Sequence, residues 1–303
     1  MNAPARISLN RRRERFKDTL VRGVLFFSAF CSIFITAAII FILIYESIPF
    51  FKEIPLRQFL LDKQWTPLFS DAHYGILSLV CGTFLTTVIA LSLAIPLGTI
   101  MAIYLSEYAS HKFRETLKPL LELLSAVPTV VYGYFALLFV TPLLQIIFPT
   151  LSGFNVLGAG LTMGIMIIPY VSSLSEDAMH AVPMPLREGS YAMGATHFQT
   201  AIHVIIPAAF SGITSSYILA ISRAIGETMV VAIAAGMQPN LTLNLLEPAQ
   251  TLTAYIVQVS LGDLPHGTLG YQTIFVCGLT LFFITLCFNI IGHQLRKKFR
   301  EVY

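Results

Sequence analysis

Apolar residues run along this chain in blocks too long for the helices and strands of a soluble domain. Four stretches, residues 23–45, 72–106, 123–175 and 264–295, contain no Asp, Glu, Lys or Arg. A hydrocarbon core about 30 Å thick needs about 20 helical residues to cross it. A single helix over 123–175 would be about 80 Å long. It must therefore break, and the turn formers Pro149, Thr150, Ser152 and Gly153 place the break. The pattern predicts six spans, at about 21–47, 75–105, 119–148, 155–178, 210–236 and 271–294. The expected fold is all-α and polytopic, with a basic tail over 1–20, a transmembrane domain over 21–295 and a second basic tail over 296–303. The first span is too long for a typical signal core and no small-residue cleavage site follows, so it is expected to stay uncleaved.

Composition agrees. Of 303 residues, 55% are hydrophobic and only 12% charged, against about 25% charged in an average soluble chain. This excludes a cytosolic enzyme, a nucleic-acid binder and a disordered chain. With six spans, both termini share a side. That side carries fifteen Lys and Arg against three on the other, Lys52, Arg57 and Lys63, which predicts cytoplasmic termini. The basic balance thus reflects topology, and no nucleic-acid partner is expected. Cys31, Cys81, Cys277 and Cys287 all lie in apolar runs without C-x-x-C spacing and read as small core residues.

Local chemistry shapes the spans. Pro96, Pro128 and Pro169 fall inside them and are expected to bend them. Gly160 and Gly164 form a G-x-x-x-G that lets a second helix approach closely.

Two places carry possible function. Residues 183–207 form a cytoplasmic loop in which Pro185 suits a helix start, Glu188 its first turn and Gly194 its end. A second short helix fits from His197 to Ile206, before Pro207. Leu186, Tyr191, Met193 and Phe198 are expected to face the cytoplasm, either as a knob for another protein or as a helix lying flat on lipid. The second place is Arg223 with Glu227, near mid-membrane in the fifth span. A lone arginine there costs about 2.5–3.5 kcal/mol on insertion scales. The i, i+4 spacing puts both groups on one helical face, where they can pair. They are either a packing salt bridge or an anion site in which the guanidinium holds oxyanion oxygens and Glu227 accepts a hydrogen bond from a protonated phosphate. Glu107, Glu122 and Glu176-Asp177 lie near span ends and look less informative.

The scattered histidines make no metal pattern, no catalytic grouping appears in the spans, and no cofactor motif is present. The chain lacks G-x-x-x-x-G-K-[ST], so any ATP hydrolysis that drives it belongs to a separate subunit.

Glu188-Gly189-Ser190, Gly194 and Val204-Ile205-Ile206-Pro207 resemble the Glu-Ala-Ala loop of bacterial ABC importer permeases. The departures are Gly189 and Ser190 for two alanines, Val204 for Ile and Ile206 for Leu. Arg223 to Met229, Met166 to Tyr170 and Ala126 to Gly133 resemble three segments of the phosphate-specific permease family of the PstC type, and the similarity covers most of the chain from the second span onward. The resemblance implies a type I ABC importer permease fold in a bacterial inner membrane. It implies a sister permease of the PstA type, a dimeric cytoplasmic ATPase and an extracytoplasmic phosphate-binding protein as partners, and no cofactor on this chain. It puts Arg223 and Glu227 in the translocation path. It puts Glu188, Tyr191, Met193, Gly194 and Pro207 in the ATPase-coupling loop. A permease for sulfate, molybdate or an organic anion, an ion-coupled secondary transporter, and a membrane-embedded enzyme are the rival readings.

Overall fold

The computed structural model describes residues 4–298, with side chains from Lys17 onward. Residues 1–3 of the expected N-terminal tail and 299–303 of the C-terminal tail, including Arg300, lie outside the described residues. The described chain is helical throughout, apart from loops and one isolated bridge between Trp65 and Tyr74.

Helix α1 spans Pro4–Glu53 and already includes most of the basic tail. A short α2, Leu56–Leu61, precedes α3, Leu77–Ile103, which runs on through a wide π turn, Tyr104–Tyr108. Next come α4, His111–Ala126, and α5, Thr129–Phe135, which continues through a π turn, Ala136–Val140, into α6, Thr141–Ile147. Helix α7 is Val156–His180, α8 Met184–Ala192 and α9 His197–Thr200. A third π turn, Ala201–Ile205, leads to α10, Ile206–Ala208. The chain closes with α11 (Phe210–Ile225), α12 (Met229–Ala234), α13 (Leu252–Ser260) and α14 (Leu269–Lys298).

Five stretches are long and apolar enough to cross a bilayer: Lys17–Glu53, Leu77–Tyr108, Thr129–Ile147, Val156–His180 and Leu269–Lys298. A sixth appears if His197–Ala208 and Phe210–Ile225, bent by 73°, count as one broken span. Two expected boundaries change. The third span begins at Thr129 rather than near 119. Pro128 caps this helix instead of bending it, and residues 111–126 form the separate α4 with a charged face. The fifth does not continue to 236, because the helix stops at Gly226 and restarts at Met229.

Helices α3 and α7 form the most extensive helix pair, running in the same direction. Their small residues let the backbones approach: a Cβ on Gly164 would lie 2.8 Å from the Ala90 carbonyl oxygen, and one on Gly160 2.7 Å from the Ile89 Cβ. In a bilayer, such packing replaces the hydrophobic drive that lipid cannot supply. Helix α7 starts cleanly because the Asn155 side chain accepts a bond from the Gly158 N–H. Helix α11 is held against this pair by two hydroxyl bonds, Thr99 with Tyr217 and Ser175 with Ser216, each 2.7 Å. Around them, Met163, Met166, Ile167, Val171, Ala220, Ala224 and Val230 form the central core. At one end, a second cluster joins Phe50, Phe59, Trp65, Tyr74 and Tyr255. Helix α1, packed against α14, exposes apolar side chains such as Phe26 and Phe27, as a lipid-facing helix does.

Candidate functional site

The segment 183–207 folds as two short helices joined by a tight turn. Pro183 caps α8 and Pro185 sits in its first turn. Glu188 falls one turn later than expected, as the fifth residue of the helix, and is exposed. Gly194 ends the turn at φ +84°, a backbone region that favours glycine. Thr196 and Gln199 then close a reciprocal capping box on α9. Ser190 Oγ and Thr200 Oγ1, 2.9 Å apart, tie α8 to α9. Pro207 lies inside α10, and the sharp bend falls just after it, between Ala208 and Phe210.

Three of the four apolar side chains expected on the surface of this loop are exposed, Leu186 among them. Met193 is 89% exposed and Phe198 62%. Tyr191 is half-buried, with its hydroxyl 3.1 Å from His197 Nδ1.

Sequence reasoning missed what anchors the loop. The Arg187 guanidinium is buried and donates to Glu107 Oε1 at 2.6 Å and to the Met179 carbonyl at 2.7 Å. One side chain of α8 thereby grips the ends of both α3 and α7. Beside it, the fully buried Glu176 carboxylate meets Arg114 at 2.5 Å and Lys118 at 2.8 Å, and Lys118 also bonds Asp177. Burial works against the Lys118 ammonium, but the Asp177 and Glu176 carboxylates outweigh it and hold its pKa above the usual value. The ion-pair partners are 58 to 80 residues apart, so no local spacing signals them.

Arg223 and Glu227 are not a helical i, i+4 pair. Arg223 lies in the last turn of α11, whereas Glu227 lies past the helix end at Gly226. Glu227 Oε1 accepts the N–H groups of Met229, 3.2 Å, and Val230, 3.4 Å, and so caps the restart of the helix. Thr253 donates to the Glu227 carbonyl at 2.7 Å, tying the break to α13. Among the described residues, no ion pair joins Arg223 to a carboxylate. Its guanidinium instead sits 4.2 Å from the centroid of the Tyr170 ring, and its Nε is buried without a hydrogen-bond partner.

Arg223 lines a cavity of about 470 Å³ with Glu122, Ser125, Tyr170 and Ser173. A guanidinium over an aromatic ring, with no ion pair of its own and with serines lining the same cavity, is chemically suited to an anion. Glu227 does not line this cavity. Among the described residues, no group of His, Cys, Asp and Glu is arranged to hold a metal ion.

The family described as "Binding-protein-dependent transport system inner membrane component" matches residues 94–301. The "Probable ABC transporter permease protein YqgH" of Bacillus subtilis is 31% identical, over 98% of this chain and 97% of that protein. The "Probable phosphate transport system permease protein PstC" of Methanocaldococcus jannaschii is 32% identical, over 75% of this chain and 77% of that one. Among solved structures, a bacterial alginate ABC transporter in complex with alginate pentasaccharide-bound periplasmic protein aligns over 96% of this chain and 99% of its own, with a TM-score of 0.59 and 16% identity. That likeness concerns the fold alone.

Proposed function

The chain belongs to the family of binding-protein-dependent transport system inner membrane components, and from that premise we propose that it is the permease subunit of an ATP-driven importer of inorganic phosphate. The observation that carries the anion reading is the Arg223 guanidinium, over Tyr170 and without an ion pair, in a largely apolar cavity. A guanidinium in an apolar membrane setting that makes no ion pair is costly unless something anionic visits it. Similarity to relatives named as phosphate permeases supports phosphate as that anion.

Arg223 contacts the anion in transit. Glu227, by capping α12, fixes the break that ends α11 next to Arg223, and so acts on the path by positioning. Glu188, Tyr191, Met193, Gly194 and Pro207 belong to the loop that a cytoplasmic ATPase dimer grips. A sister permease of the PstA type completes the path, and an extracytoplasmic phosphate-binding protein delivers the substrate. Both termini lie in the cytoplasm, since the basic residues Lys112, Arg114 and Lys118 sit at the same end as the 183–207 loop. Residues 1–20 and 296–303 are cytoplasmic tails around a permease domain of 21–295.

The test is phosphate uptake by the complete transporter reconstituted in vesicles. Arg223→Gln is expected to abolish uptake while the complex still assembles. Unchanged uptake would reduce Arg223 to a packing residue, and uptake blocked by sulfate but not by phosphate would replace the substrate.

A further inference from the structure

The same cavity holds a feature that the anion reading alone does not require. Beside the cation it presents acceptors. Glu122, an exposed residue of α4, lines the cavity that Arg223 lines from α11, and among the described residues the two do not form an ion pair. Ser125 donates its hydroxyl proton to the Glu122 carbonyl at 2.7 Å. Its remaining valences on the cavity side are lone pairs, so toward a ligand it accepts. The carboxyl group of Glu227 has no place here, because it does not line the cavity and its Oε1 is committed to backbone N–H groups.

A site with one guanidinium and two acceptor side chains is mismatched to an anion that has only lone pairs. Sulfate at neutral pH is such an anion, and each of its oxygens directed at Glu122 would be repelled. Hydrogen phosphate has the same tetrahedral shape but carries an O–H. Its O–H can donate a hydrogen bond to the carboxylate or to Ser125 while Arg223 takes its charged oxygens. Setting an acceptor against an acceptor costs more than a missing hydrogen bond alone, because like partial charges then face each other. We propose that Glu122, with Ser125, makes the Arg223 cavity selective for an oxyanion that carries a proton, so that this chain itself discriminates hydrogen phosphate from sulfate.

This inference rests on the anion reading of Arg223. It is tested on the purified complete transporter, without its binding protein, by dialysis against radiolabelled inorganic phosphate and, separately, sulfate. Wild type is expected to prefer phosphate by about tenfold or more. Glu122→Gln, whose amide donates as well as accepts, is expected to bind both anions with similar affinity. Glu122→Asp, which keeps the acceptor, is expected to retain a preference. Arg223→Gln is expected to lose both anions. A wild type that binds the two equally, or a Glu122→Gln variant with an undiminished preference, overturns the selectivity proposal and leaves the anion path standing. A wild type that binds neither anion overturns the path, and the proposal with it.

Discussion

Arg187 and Glu107, eighty residues apart, form a 2.6 Å ion pair with both side chains nearly sealed from solvent. The pair fastens α8 to the π turn that ends α3, while the second arm of the guanidinium holds the Met179 carbonyl near the end of α7. Removing one partner leaves a buried charge uncompensated, at a cost of about 3–5 kcal/mol. Arg187→Met should therefore lower the thermal stability of the solubilised protein strongly. Adding Glu107→Met should restore much of it. A double variant no more stable than the single one would show that the two residues do not act as a unit.

Gly194 and Glu188 lie in the same loop but should fail differently. At Gly194 a Cβ would meet nothing within 4 Å, so Gly194→Ala pays only for the left-handed backbone, about 1 kcal/mol. That should speed amide hydrogen exchange in 184–200. Glu188 is exposed and makes no ion pair among the described residues. Glu188→Arg should leave exchange unchanged but weaken co-purification of the ATPase subunit. Normal capture by Glu188→Arg would remove this residue from the docking surface.

Gly164 has no room for a side chain, since its Cβ would press on the Ala90 carbonyl at 2.8 Å and on Leu93 at 3.1 Å. Gly164→Val should destabilise the α3–α7 pair by about 1–3 kcal/mol. Gly153, with open space around it, serves as the control, and Gly153→Ala should melt like wild type.

The loop between α2 and α3 should respond to pH. His73 Nδ1 lies 2.9 Å from Asp62 Oδ2. The hydrogen bond to Asp62, against some burial, raises the His73 pKa. Burial acts to raise Asp62, but His73 and the Gln64 backbone N–H prevail and lower it. A raised histidine contributes stability below its ordinary pKa and loses it as pH climbs through the raised value. A lowered aspartate contributes above its ordinary pKa and loses it as pH falls through the lowered value. The loop should thus be tightest between the two and loosen on going from about pH 6 to about pH 9. Trp65 is the only tryptophan and pairs with Tyr74 in this loop, so its emission reports the change. His73→Ala should abolish the response. A pH response that survives the substitution would exclude this pair as its source.

Much of the fold could be read from the chain, because charge-free runs as long as a bilayer have few alternatives. The two short helices of 183–207 were legible from Pro185, Gly194 and Pro207, as was the close approach at Gly160 and Gly164. Two breaks were not. Helix α4 ends in the residues Leu123–Ala126, which continue without charge into the next span, so only the role of Pro128 as a cap separates them. Gly226 and Thr228 are ordinary residues in an apolar run, and the spacing of Arg223 and Glu227 suggested a pair only because a continuous helix was assumed. The anchors Glu107 and Glu176 looked like solvated span ends. Their partners come from other helices, and only tertiary contact reveals that they are buried.

The 73° angle between the α9–α10 arm and α11 has a mechanical meaning. An arm set across a shaft is a crank. While the bend keeps its angle, a swing of the α9–α10 arm twists α11 about its own length. Arg223, thirteen residues along that shaft, about 20 Å from the bend, then sweeps an arc across the wall of its cavity instead of sliding up or down.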